Sequence, residues 1–205
     1  MVNSELSTEQ KIKEAAIKVF TAKGKSGARM QDIADEANIN KAMLHYYFRN
    51  KEKLFELVFE EKLIELFSAF QVILSSQLDF EGKIRKFVEK EIDMISAYPM
   101  LPMFILNEVG KNPEIMANKF ANAGPRIFKE YFKELVQEEI KSKKIRPIDY
   151  RQLLMNLMSL CIYPFLARSV IQNVMSINDK EFNEIIQERK KLVAELILND
   201  LKINS

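Results

Sequence analysis

Residues 30–53 read MQDIADEANINKAMLHYYFRNKEK, and this stretch decides the fold. Met30, Ile33, Ala34 and Ala37 fall at i, i+3, i+4 and i+7, the spacing that gathers apolar side chains on one helical face. Asn38 stops that helix, because Asn tolerates the left-handed conformation needed just past a helix C-terminus, and Ile39 can then tuck beneath the turn. Asn40 is a favoured N-cap, its side-chain oxygen able to accept from a backbone N–H one turn along. The next helix therefore begins at Lys41. A helix, a tight turn and a second helix follow one another: a helix-turn-helix.

In the second helix Leu44, Tyr47 and Phe48 share one side and are the expected core anchors. Lys41, Ala42, Met43, His45 and Tyr46 are left outward. A short helix with those side chains, and with small Ala42 letting the backbone approach, suits a major groove about 12 Å wide. Asn50 can cap the following helix and place Lys51 in its first turn, where free N–H groups and a cation would clamp a phosphate.

Two packed helices of an ordinary bundle would give part of this pattern. The run from Thr8 to Leu63 goes further and resembles the N-terminal domain of the TetR family of bacterial transcriptional repressors. The resemblance rests on Val19-Phe20, Gly24, Asp32-Ile33-Ala34, Leu44-His45-Tyr46-Tyr47-Phe48 and Lys51, in the family's order and spacing. It implies a DNA-binding set of Arg29, Gln31, Asn40, Lys41, Ala42, Met43, His45, Tyr46 and Lys51. Two positions depart from the pattern. His45 stands where the family usually has a phosphate-touching Tyr, and Ala28-Arg29 stand where small hydroxyl residues often cap the second helix, so Arg29 is expected to contact the backbone directly.

The chain has 205 residues, enough to bury a sizeable core, with only five Gly and six Pro. Leu, Ile, Lys, Glu and Phe are abundant and period-two stretches are almost absent, so the expected class is all-α, with about nine helices. The net charge is only +2, but it is unevenly placed. Residues 1–53 hold ten Lys and Arg against seven Asp and Glu, whereas residues 54–205 hold twenty-one against twenty-two. The basic end is the helix-turn-helix end, as phosphate binding requires.

The single cysteine, Cys161, has no intramolecular disulfide partner, and the N-terminus lacks the basic start and apolar core of a secretion signal. A cytoplasmic protein is expected. The longest nearly apolar run, Leu153 to Ala167, is shorter than the roughly 20 residues that span a bilayer, so it reads as a buried helix with no membrane partner.

Taken in order, Ser7-x-x-Gln10 starts helix one, with Ile12, Ala15, Ala16, Val19 and Phe20 as its buried stripe. Gly24-Lys25-Ser26 imitates the end of a phosphate-binding loop, but Val19 stands where the first Gly is needed and a helix precedes it. A fourth helix carries Leu54, Phe55, Val58, Phe59, Ile64, Phe67 and Phe70 to about Ser75. No flexible linker follows the helix-turn-helix, so the domains are expected at 1–53 (DNA binding) and 54–205 (ligand binding and dimerisation). A fifth helix spans about 80–97, and Pro99 ends it.

Met100 to Val109 is a short apolar helix, and Asn112-Pro113-Glu114 is a further helix start. Beyond Gly124-Pro125 a long amphipathic helix carries Ile127 to Ile140 and ends in the basic tract Lys141 to Arg146, read as a solvated helix end. Asp149 caps a helix to about Met175, in which Pro164 cannot donate to the Leu160 carbonyl and should cause a kink. Asn178-x-x-Glu181 starts the last helix. The two terminal helices carry more apolar surface than a small domain can cover and point to a homodimer. The resemblance likewise implies a four-helix dimer interface, an inverted-repeat operator in double-stranded DNA, and a C-terminal pocket for a small-molecule inducer.

The parts of an enzyme are missing. The one histidine lies in the DNA-reading helix, which excludes Ser-His-Asp and Cys-His machinery, and no Cys or His cluster offers a metal site. No catalytic residue, metal or cofactor is expected; carboxylate-only catalysis is the remote alternative. Met94, Tyr98, Met103, Phe104, Phe120, Phe128, Met158 and Cys161, with Asn107 as a polar group, are the expected lining of a cavity for a largely apolar ligand. The same residues would serve equally as core, with control by a protein partner instead.

Overall fold

A computed structural model describes residues 7–111 and 125–203 and, within these, every side chain except those of 108–111 and 125–128. Among the described residues there are ten helices and no strand, so the chain is all-α. The helix start expected at Asn112-Pro113-Glu114, and Phe120, lie outside the described residues. Packing divides the chain into two compact units. One runs up to Leu63 and takes in Tyr98–Ile105; the other comprises Ile64–Ala97 and the chain from Leu106 on.

The first unit is built from α1 (Thr8–Gly27), α2 (Met30–Glu36), α3 (Lys41–Tyr47), the first half of α4 (Lys51–Ser75) and the start of α6 (Leu101–Lys111). Ser7 caps α1 by accepting from the Gln10 N–H at 3.2 Å. Within α1 the helical path breaks at Gly24, whose φ of 67° lies in the left-handed region that a residue without a Cβ adopts freely. The buried stripe of α1 is Ile12, Ala15, Ala16, Val19 and Phe20, as its spacing predicts; α1 packs on α2, and Ile33, Ala34, Leu44, Phe48, Leu54, Phe55, Val58 and Phe59 are buried in the same unit. Aromatic rings hold the centre. Phe20 meets Phe55 edge-on at 5.0 Å, and Phe104 lies 5.8 Å from Phe55 and 5.7 Å from Phe59.

The second unit contains the rest of α4, then α5 (Phe80–Ala97), α7 (Pro125–Lys141), α8 (Tyr150–Leu166), α9 (Arg168–Met175) and α10 (Asp179–Leu201). Phe80, Ile84, Phe87, Val88, Ile92, Met94 and Ile95 bury one face of α5, which packs chiefly against α10 and then α8. Phe70 of α4 stacks on Phe87 at 4.2 Å. Asp149 caps α8 by accepting from the Arg151 N–H at 2.8 Å. Asn178 and Glu181 form a reciprocal capping box on α10. In the basic tract Arg146 is more than a solvated helix end, because its N–H and its Nε donate to the terminal carbonyls of α10 at Leu201 and Asp200, over 2.9 and 2.7 Å. Those carbonyls have no partner within their own helix.

One long helix over 150–175 is expected from sequence; the structure has two, α8 and α9, meeting at 70°. Pro164 explains the break. It has no N–H for the Leu160 carbonyl, and α8 ends two residues later. No single described helix is long and apolar enough to cross a membrane, although this bent pair would pass a test of length and composition alone. Ile64, expected on the core stripe of α4, is exposed, and Leu63 and Leu66 are buried in its place.

Candidate nucleic-acid interface

The turn between α2 and α3 is made by backbone hydrogen bonds around one left-handed residue. Asn38 has φ 53°; its N–H donates to the Asp35 carbonyl at 3.1 Å, and the Ile39 N–H reaches back to Ala34 at 3.0 Å. This pair of bonds satisfies carbonyls at the end of α2 and fixes the direction in which the chain leaves it. Asn40 then accepts from the Met43 N–H at 2.8 Å and starts α3.

At the other end of α2, Arg29 is the N-cap residue in extended conformation. No small hydroxyl is present to accept from the first turn; instead Asp32, one turn in, takes the N–H of Arg29 at 3.0 Å while pairing with Lys23 at 3.1 Å. The Lys23 ammonium, and then the Arg29 N–H, hold the Asp32 carboxyl below the usual carboxylate range. The Arg29 side chain is left exposed. Gln31 is exposed as well, its amide donating to Asp35 at 2.7 Å.

Leu44 anchors α3 with no exposed surface, and Phe48 follows at 8%. Phe48 is already the C-cap, in extended conformation, so it reaches the core by leaving the helix. That geometry corrects the expectation for Tyr47. Leu44 and Phe48 fill the inner side of this seven-residue helix, and Tyr47 stays 41% exposed, edge-on to Tyr46 at 5.4 Å. Lys41, Ala42, Met43, His45 and Tyr46 all face outward, Tyr46 with 84% of its surface free. His45 brings Nδ1 within 3.3 Å of the Arg49 carbonyl.

Asn50 caps α4 by accepting from the Lys53 N–H at 2.8 Å. Lys51 sits in the first turn as expected, but it is half-buried and its ammonium donates to the Ala28 carbonyl at 3.0 Å. That bond joins the start of α4 to the corner between α1 and α2. An ammonium has three N–H groups, so two remain for other acceptors.

Three lysines of α1 are paired: Lys13 with Glu9 and Glu61, Lys18 with Glu36, and Lys23 with Asp32. Arg29, Lys41, Arg49 and Lys53 make no ion pair among the described residues and are exposed around α3.

The residues expected to line a ligand cavity are differently placed. Phe104 belongs to the aromatic cluster of the first unit, and Tyr98 is half-buried beneath the Lys62 ammonium at 5.0 Å. Met94 and Cys161 are buried in the second unit. Met103, Asn107 and Met158 are exposed, and the side chain of Phe128 lies outside the described residues. Two polar residues of the second unit escape a reading by composition: Glu91, 3% exposed, and Arg189, which donates to the Leu160 carbonyl at 2.9 Å. Glu91 does carry a signal, since it falls on the same helical stripe as Ile84, Phe87, Val88, Ile92 and Ile95. No group of three or more His, Cys, Asp or Glu able to hold a metal occurs among the described residues.

Known proteins match this arrangement. The family model described as bacterial regulatory proteins, tetR family, matches residues 12–58, which span the buried face of α1, all of α2 and α3, and the start of α4. The chain is similar to the probable HTH-type transcriptional regulator YttP of Bacillus subtilis, with 26% identity over 181 residues and 86% of each chain covered. It is also similar to the HTH-type transcriptional repressor SCO4008 of Streptomyces coelicolor, at 36% identity over 95 residues, 46% of each chain. Among solved structures, the fold matches the transcriptional regulator FadR of Bacillus subtilis in complex with stearoyl-CoA, with a TM-score of 0.63 at 15% identity, over 93% of this chain and 98% of that one. Residues 12–58, the helix-turn-helix region, are thus similar to the tetR family of bacterial regulatory proteins, and the relatives that the chain resembles are themselves named as transcriptional regulators.

Proposed function

We propose that the protein is a homodimeric, cytoplasmic repressor that binds an inverted-repeat operator through α3 and is released by a small, largely apolar ligand. The observation that carries the DNA-reading part is α3 itself. It is pinned by Leu44, by Phe48 and by the Asn40 cap, and it presents Lys41, Ala42, Met43, His45 and Tyr46 outward with unpaired cations around it. Rigid backing and a free polar face are what groove insertion needs. In this reading Lys41 and Met43 reach base edges, while Arg29, Gln31, Asn40, His45, Tyr46 and Lys51 hold the backbone.

Homodimerisation is supported by the outer faces of α8 and α10, where Met155, Met158, Tyr163, Leu192 and Leu196 are each more than 40% exposed. Large apolar side chains gathered on two neighbouring helices mark a surface that associates. Two copies place their α3 helices about one DNA turn apart, or a multiple of it. For the ligand, FadR shows that a chain of this fold is found with a long acyl thioester. Residues 1–53 read DNA and 54–205 respond to ligand, and α4, which has residues in both packing units, carries the response as a change of tilt.

The test is a binding titration against a randomised operator library at two salt concentrations, with sizing of the free protein. A dimer that selects a two-fold-symmetric site is expected. A monomer at micromolar concentration, or a protein without sequence preference, overturns the reading.

A further inference from the structure

Glu91 is the one buried charged residue among the described residues, 3% exposed on the apolar face of α5. One carboxyl oxygen, Oε2, is buried without a hydrogen-bond partner. The carboxyl's hydrogen bond comes from the thiol of Cys161 on α8, a weak donor. Burial, the dominant cause, raises the Glu91 carboxyl to about 8, and the Cys161 hydrogen bond offsets only part of that. Burial also pushes the Cys161 thiol up, so it stays a neutral donor.

Among the described residues no cation forms an ion pair with Glu91. From α10, Arg189 donates through Nη2 to the Leu160 carbonyl and keeps its Nε buried without a hydrogen-bond partner, and Lys190 pairs with Asp93 of α5 at 2.5 Å. On α8 the neighbouring titratable group is Cys161 itself. From the part of α4 in this unit comes only Glu65, which is exposed and of like sign. Elsewhere on α5, Lys86 pairs with Glu89 at 2.7 Å, Lys83 and Lys90 are half-buried and Arg85 is exposed.

The seam that Glu91 occupies joins α5 to α8 and α10, the two helices whose outer faces carry Met155, Tyr163, Leu192 and Leu196. We propose that Glu91 is a proton-operated joint: protonated, it lets α5 pack against α8 and α10; ionised in alkaline conditions, it loosens that packing, weakens the homodimer and releases DNA. The proposal rests on the homodimer reading given above.

The direction follows from linkage. In the unfolded or loosened chain Glu91 ionises near its ordinary 4.5, whereas in the packed seam it holds its proton to about 8. The stability contributed by the neutral carboxyl is therefore full below about 4.5, declines as pH rises, and is gone once pH passes through 8. Around the upper part of that window each protomer supplies a steep dependence of up to about tenfold per pH unit.

The experiment compares the wild-type protein with Glu91→Gln, which keeps the shape and cannot ionise. Sedimentation gives the dimer dissociation constant at pH 7 and pH 9, and infrared spectroscopy follows the carboxylic-acid carbonyl band of the wild-type protein. The dissociation constant of the wild type should rise about tenfold or more from pH 7 to 9, and that of the variant should change by less than about threefold. The acid band should be present at pH 7 and gone by pH 9.5. A band already absent at pH 7 overturns the proposal without need of the variant. A wild-type dimer equally tight at both pH values overturns the joint and leaves the homodimer standing. A chain monomeric at both overturns the homodimer reading and the joint with it.

Cys161→Ser gives an independent check, because a hydroxyl is a stronger donor to a carboxylate. The midpoint of the pH transition should move down. An unmoved midpoint would overturn the assignment to Glu91.

Discussion

Arg189 donates a hydrogen bond of 2.9 Å from Nη2 to the carbonyl of Leu160, the group that Pro164 leaves without its helical partner. A proline inside a helix orphans the carbonyl four residues before it, and an orphaned buried carbonyl is costly. Here a side chain from α10, 29 residues further along, fills the gap and ties α10 to α8 at the point where α8 is about to end.

That relationship sets the first prediction. Arg189→Met should cost about 1 to 3 kcal/mol in urea unfolding, the range for a hydrogen bond from a charged donor whose partner is left unpaired. In a Pro164→Ala background the backbone N–H returns to Leu160, and the cost of the same change should fall below about 1 kcal/mol. Equal costs in the two backgrounds would show that Arg189 acts through packing alone.

Lys51 is expected to show two separable effects. Its bond to the Ala28 carbonyl means that Lys51→Ala should destabilise the first unit by about 1 kcal/mol without DNA present. Its remaining N–H groups at the start of α4 should hold a phosphate, so the same change should weaken binding to every sequence alike and lower the salt slope by about one unit. Calorimetry of the free protein and titrations at several salt concentrations measure the two independently. An unchanged salt slope would leave Lys51 with the structural role only.

These two bonds also show where a sequence stops being readable. The caps at Asn40, Asn50 and Asn178 join groups at most three residues apart, so residue type and position suffice to find them. The left-handed turn at Asn38 and the span of α5 are legible for the same reason. Lys51 to Ala28 and Arg189 to Leu160 cross 23 and 29 residues, and no periodicity announces them. Tyr47 misleads because i, i+3, i+4 spacing assumes that the helix continues, and α3 ends there. Composition alone points Phe104 to a cavity, whereas its partners are set by tertiary packing.

Phe104 gives the third prediction. Its ring fills the cluster of Phe55 and Phe59, so Phe104→Ala should cost about 3 to 5 kcal/mol, and Phe104→Leu clearly less. The loss should be local. Amide hydrogen exchange should quicken in α1 to α3 before it does in α10, because Phe104 packs with the unit that ends at Leu63. Faster exchange confined to α8 and α10 would assign Phe104 to the regulatory half after all.

Lys41 separates reading from holding. It is the first residue of α3, exposed and without an ion pair among the described residues, and the Asn40 cap fixes the backbone from which it projects. Residues near the start of a recognition helix are the ones that reach base edges, and a Lys there donates to guanine acceptors. Lys41→Ala should therefore relax preference at one or two base pairs of each half-site, at a cost of roughly 1 to 3 kcal/mol on the preferred sequence and little on others. Tyr46→Phe, which removes a hydroxyl from the most exposed aromatic side chain of α3, should instead weaken all sequences together, as loss of a backbone contact does. Sequencing the library fractions bound by each variant distinguishes the two patterns. If Lys41→Ala lowers affinity uniformly and leaves the preferred sequence intact, its ammonium touches phosphate, and base reading falls to Met43 and Ala42.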